Sequence, residues 1–156
     1  MESENKNNVE KGSIHKVLAH SYFVYFLFFL VGVSLDIFFR FNVFNNIGVT
    51  IFGFVLLISA TFLILWAQRT SRNLKKDIIT KETFCHGPYC FTRSPTHWGL
   101  FLLMLGFGLV TGAFFVILLS FVSFIFAKFT FLDKEEKLLA AKYGNPYLEY
   151  KKTVKL

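Results

Sequence analysis

Long apolar runs separated by short polar clusters dominate the chain, and the lengths of those runs set the expected architecture. Val17 to Phe39 and Ile47 to Gln68 contain 23 and 22 residues. Each makes roughly 33 Å of helix at about 1.5 Å per residue, enough to cross a hydrocarbon core of about 30 Å. From His97 to Leu132 the chain stays apolar for 36 residues, interrupted by Lys128 alone. As one helix that run would reach about 54 Å, so it must fold back. Thr111-Gly112 supplies the break, predicting a short third span over 97–110 and a fourth over 113–132. Lys128 then snorkels toward the basic side.

The polar clusters fill in the rest. Residues 1–16 are mixed in charge and lack periodicity, which predicts a disordered or surface-lying tail. Asp36 and Arg40, at i,i+4 spacing, are expected to pair at the far interface, with a short turn at 42–46. Asp133 to Tyr143 reads as a helix running out of the membrane and stopped by Gly144-Asn145-Pro146. A last short helix carries Tyr147 and Tyr150. The expected fold class is therefore all-α: an integral membrane bundle of four transmembrane helices, one domain over 17–156. The loop between the second and third spans and the C-terminal helix then meet on one side and form the site.

Composition supports lipid as the solvent. Of 156 residues 54% are hydrophobic and 19% aromatic, with 22 Phe, more apolar surface than a soluble domain of this size can bury. The net charge of +7 sits outside the apolar runs and points to membrane topology and anionic headgroups rather than nucleic acid. Between Arg69 and Thr96 six basic residues face two acidic ones, which by the positive-inside rule places this loop and both termini in the cytoplasm. The mixed-charge start, without a small-residue cleavage site, makes the first run a retained span rather than a signal peptide. Cys85 and Cys90 in a cytoplasmic loop are expected to stay reduced. With His86 and His97 they lack the spacing of a metal frame, so no metal is expected.

The chemistry concentrates in two blocks. The first runs from Thr83-Phe84-Cys85-His86-Gly87-Pro88-Tyr89 to Arg93-Ser94-Pro95-Thr96-His97-Trp98-Gly99. The second joins Glu135-Glu136 to Tyr143-Gly144 and to Tyr147 and Tyr150. Together they resemble the isoprenylcysteine carboxyl methyltransferase and phospholipid methyltransferase family over roughly residues 47–152. Ser94 stands where the family usually has His, and His97 where it usually has Tyr.

The resemblance implies methyl transfer from S-adenosylmethionine to a lipophilic small-molecule or lipid-modified acceptor reached from the bilayer. It puts cofactor contacts on Lys81, Glu82, Thr83, Phe84, Tyr89, Ser94, Pro95, Thr96, His97 and Glu135. A pocket for a sulfonium, an amino group, a carboxylate and a flat adenine wants a carboxylate, polar donors and aromatic walls, which these residues offer. Arg93 and Glu136 are the candidate catalytic pair, Arg93 for site electrostatics and Glu136 to help an amine acceptor lose its proton. In the isoprenylcysteine branch an arginine associated with the acceptor precedes the first glutamate by four residues; here Phe131 takes that place. Poor use of isoprenylcysteine is the expected consequence. A phospholipid amine methyltransferase, and a non-catalytic membrane protein of the same fold, are the alternatives.

Overall fold

The computed structural model describes residues 2–39, 46–73 and 87–154. These residues form helices and turns. Helix α1 spans Glu2–Phe39, α2 Ile47–Asn73, α3 Pro95–Thr111, α4 Phe114–Ala127, α5 Asp133–Tyr143 and α6 Asn145–Thr153. A 3₁₀ turn covers Gly87–Cys90, and a π-helical turn, Lys128–Leu132, links α4 to α5.

Among the described residues three helical stretches are long and apolar enough to cross a membrane: Ala19–Phe39, Ile47–Ser71 and Phe114–Ala141. The expected third span is α3, whose 17 residues extend about 26 Å and fall short of that criterion. The predicted break is where the chain turns: Gly112 adopts a left-handed φ of 69° and its N–H caps the Gly108 carbonyl. The polar segment before the first span is helical from Glu2 and continuous with it, rather than an irregular tail. Its Glu2, Lys6 and Glu10 recur at i,i+4, a spacing that favours helix without any apolar periodicity. Helix α2 likewise continues past Gln68 to Asn73.

Small residues decide which helices meet. On α2 the buried positions Gly53, Ala60 and Ala67 recur every seven residues, and Gly99 and Gly106 recur likewise on α3. A Cβ on Gly53 would lie 3.0 Å from the Gly106 carbonyl oxygen, and one on Gly99 would collide with Ile64. The two helices therefore pack backbone to backbone and antiparallel, as small residues allow within lipid. Helix α4 turns Val116, Ser120, Ser123 and Ala127 inward at helical spacing. It meets α1 where Gly32 approaches the Val116 Cα.

At that contact the Asp36 carboxylate accepts from the N–H groups of Phe115 (3.1 Å) and Val116 (2.9 Å), satisfying orphan donors at the start of α4. The expected Asp36–Arg40 pair involves a residue outside the described ones. The order round the bundle is α2, α3, α4, α1, with α5 returning against α1. Phe side chains of α1, α2 and α4 point outward, and Lys128 is exposed.

Candidate active site

The two blocks, some forty residues apart in sequence, meet where the end of α2 and the starts of α3 and α5 come together beside the middle of α1. Gly87 opens the 3₁₀ turn with φ 57°; a Cβ there would lie 2.8 Å from Thr70 Oγ1 and 3.0 Å from Trp66 Nε1. The turn is thus pressed onto the end of α2, and glycine supplies both its left-handed backbone and its close approach. Its other side is latched by α6, where the Tyr150 hydroxyl donates to the Tyr89 carbonyl at 2.6 Å. Burial raises the Tyr150 phenol to about 12. Tyr147 and Tyr150 pack with Val154 against Leu139 and Ala140 of α5, so the C-terminal hairpin forms a small core of its own.

Arg93 and Glu136 come together from the two blocks. Arg93 Nη1 lies 2.7 Å from Glu136 Oε1, with the side chains only 12% and 14% exposed. Lys151 Nζ takes the other oxygen of Glu136 at 2.7 Å. The Arg93–Glu136 contact is ionic rather than a well-aligned hydrogen bond, and Arg93 Nε has no hydrogen-bond partner among the described residues.

Glu135 faces the opposite way, into a cluster of aromatic and hydroxyl groups. Its Oε2 lies 3.7 Å from His97 Nε2. His97 Nδ1 lies 3.4 Å from Ser21 Oγ, and the His97 ring packs 5.8 Å from the Tyr25 ring. The Tyr22 hydroxyl stands near Thr96, and the Tyr89 hydroxyl near Ser71 and Thr96, with the Glu135 charge acting on the Tyr89 phenol. Burial raises the Tyr89 phenol above its ordinary value.

The structure thus gathers Tyr89, Arg93, Thr96, His97, Glu135 and Glu136. Ser94 and Pro95 start α3, Ser94 at the N-cap without a side-chain cap bond and Pro95 buried in the first turn. Lys81, Glu82, Thr83 and Phe84 lie outside the described residues. The reduced state expected of Cys90 is corrected, because Cys90 is disulfide-bonded.

Residues 47–146 match the phospholipid methyltransferase family. The chain belongs to that family. The match begins at α2 and ends within α6, so it takes in the first block and the Glu135-Glu136 and Tyr143-Gly144 part of the second, and carries the general activity of methyl transfer at a membrane. No curated protein and no solved structure matched. Ser21, Tyr22 and Tyr25 lie outside the matched segment and were missed by sequence reasoning, which read α1 as a plain span. Their signal is a polar stripe at positions i, i+1 and i+4 near the start of an apolar helix.

Proposed function

We propose that this family member uses S-adenosylmethionine to methylate the amine of a lipid that enters from the bilayer, with the site at the cytoplasmic face. The observation that carries the reading is the division of labour between adjacent glutamates. Glu136 is neutralised by two cations, whereas Glu135, 21% exposed, has no ion-pair partner among the described residues nearer than His97. Such a carboxylate suits the positive charges that a sulfonium donor and an amine acceptor bring to one place.

The residues fit the donor. A buried polar atom without a hydrogen-bond partner invites a ligand, and Arg93 Nε is one of these among the described residues. Arg93, held by Glu136, has a guanidinium donor left for the donor's carboxylate. Tyr89 and Tyr22 offer aromatic walls, and Glu135 would face the cationic groups. When bound, S-adenosylmethionine supplies a methyl carbon activated by sulfonium. The chain's own contribution is to align donor and acceptor, exclude water at the buried ends of α3 and α5, and place a carboxylate beside the transferring centre. Phe131, 8% exposed and packed among Tyr25, Met104 and Ala127, offers no clamp for an acceptor carboxylate, which favours an amine over isoprenylcysteine. The basic balance of Arg69 to Thr96 supports the cytoplasmic placement of the site and of both termini.

The test is calorimetric titration of the purified protein in detergent with S-adenosylhomocysteine. The unmodified chain should bind it. Glu135→Gln, which keeps helix propensity while removing the charge, should retain the fold and weaken binding. Absence of binding by the unmodified protein would remove the donor from the reading, and unchanged affinity in Glu135→Gln would remove Glu135. Incubating membranes with methyl-labelled donor then identifies the acceptor from the labelled lipid.

A further inference from the structure

We propose that His97 is a catalytic proton acceptor for the lipid amine, and that His97 Nε2 and the Glu135 carboxylate together form the seat for its ammonium group. This rests on the methyltransferase reading above and assigns a step within it. An ammonium headgroup cannot attack a methyl carbon until it has lost a proton, because its lone pair is engaged. A base must therefore stand at the site. Glu136 is badly placed for the task, with both oxygens occupied at 2.7 Å by Arg93 and Lys151.

His97 has the features the step needs. It is 3% exposed, and its Nε2 is buried without a hydrogen-bond partner among the described residues. Its other nitrogen, Nδ1, lies 3.4 Å from Ser21 Oγ. When Nδ1–H donates to Ser21, the lone pair is left on Nε2, the tautomer a base requires. Glu135 Oε2 is 3.7 Å away. Two acceptor atoms at that separation suit the diverging N–H bonds of one ammonium, which can donate to both at ordinary hydrogen-bond lengths.

The proton balance closes. One N–H bond of the ammonium breaks and its proton passes to Nε2, leaving a neutral amine beside the imidazolium–Glu135 ion pair. The amine lone pair then forms the N–C bond while the C–S bond breaks, its electron pair staying on sulfur. The methylated nitrogen is left as an ammonium, and the one proton released per methyl transferred leaves from His97. The ionisable groups facing His97 are Tyr25 of α1 and Glu135 of α5; Tyr22 and Tyr89 stand near Glu135, and Arg93 and Glu136 form the adjoining ion pair. Of these only Glu135 places a carboxylate against the ring.

The experiment uses the full chain in detergent, with phosphatidylethanolamine as acceptor and the variants His97→Gln and Ser21→Ala. His97→Gln should lower kcat by about 10²–10⁴-fold near neutral pH, abolish the histidine ionisation in the pH–rate profile, and recover as the pH rises and the amine deprotonates unaided. Ser21→Ala should shift that profile. S-adenosylhomocysteine affinity should stay within twofold in both.

A readout independent of turnover is the ¹⁵N resonance of the His97 ring in the S-adenosylhomocysteine complex. Adding phosphatidylethanolamine should move it toward imidazolium, and phosphatidylcholine, which has no N–H to give, should not. A His97→Gln protein that keeps its rate within threefold and its pH profile overturns the proposal. So does a parallel loss of S-adenosylhomocysteine affinity, which would make His97 a cofactor contact. Failure of the unmodified protein to bind S-adenosylhomocysteine sinks the methyltransferase reading instead, so the two failures are distinct.

Discussion

Replacing Arg93 with methionine tests whether the site is held together by its buried charges. The change keeps side-chain length and removes the guanidinium, leaving Glu136 14% exposed with Lys151 as its remaining partner. Breaking a buried pair costs about 3–5 kcal/mol, since the surviving charge has lost its compensation. Lys151 remains and is 44% exposed, so the low end applies, roughly 3 kcal/mol. At about 2–4 °C per kcal/mol for a chain of this size, the midpoint of thermal unfolding should fall by about 6–12 °C. Lys151→Met, which removes a solvent-screened contact, should cost less than about 1 kcal/mol. The double variant Arg93→Met with Glu136→Gln should recover most of the loss, because no charge is left buried and unpaired. Fluorescence of Trp66 and Trp98 during heating in detergent would follow all four proteins. If Arg93→Met is no less stable than Lys151→Met, or if adding Glu136→Gln deepens the loss, the pair is not a buried ionic clamp and the reasoning fails.

Gly53→Val should pry α2 from α3, because even a Cβ there meets Val110 at 2.8 Å and the Gly106 carbonyl oxygen at 3.0 Å; a loss of about 1–3 kcal/mol in the same unfolding assay is expected, and an unaffected protein would refute the backbone contact. Tyr150→Phe removes the hydroxyl that donates to Tyr89, costing about 1 kcal/mol. Tyr150 itself has its phenol raised from 10.0 to about 12, so its share of stability is complete below pH 10 and lost as pH climbs toward 12. Alkaline unfolding curves of the two proteins should therefore converge across that window, and parallel curves would show that the latch does not titrate. Phe131→Arg should lower stability by placing a guanidinium among Tyr25, Met104 and Ala127, while raising the ratio of carboxylate to amine acceptor turnover; a falling ratio would refute the acceptor argument.

Among the described residues the rough limits of the apolar helices were legible because apolar run length maps directly onto helix length in lipid. The reversal at Thr111-Gly112 was legible because 36 apolar residues cannot form one span and a glycine marks the turn. Pairing between helices was not, since it rests on small residues spaced by seven on α2 and α3, a pattern that hydropathy averages away. Of the site, Arg93, Glu135 and Glu136 were found through their motif context, but the partition of the two glutamates was invisible: adjacent residues on a helix point about 100° apart, and only tertiary contacts decide which one meets the cations. Ser21 and Tyr25 were missed for a related reason. Inside an apolar helix, one serine and one tyrosine add too little polarity to stand out until the fold shows them meeting His97.

The departures from the family pattern are physically connected. Phe131 packs on Tyr25, the Tyr25 ring lies 5.8 Å from the ring of His97, and His97 reaches Ser21 on one side and Glu135 on the other. A guanidinium at position 131 would enter this chain of contacts beside the Tyr25 hydroxyl, which is buried and has no hydrogen-bond partner among the described residues. That hydroxyl can accept one hydrogen bond from an arginine but cannot neutralise it, so the charge would be tolerated only with an acceptor carboxylate bound. A histidine that takes protons from ammonium groups, placed along the same path, would meanwhile have to hold its positive charge beside the new cation. A carboxylate clamp at 131 and a proton acceptor at 97 therefore work against each other through Tyr25, and the pairing of Phe131 with His97 in this chain is the combination that suits an amine.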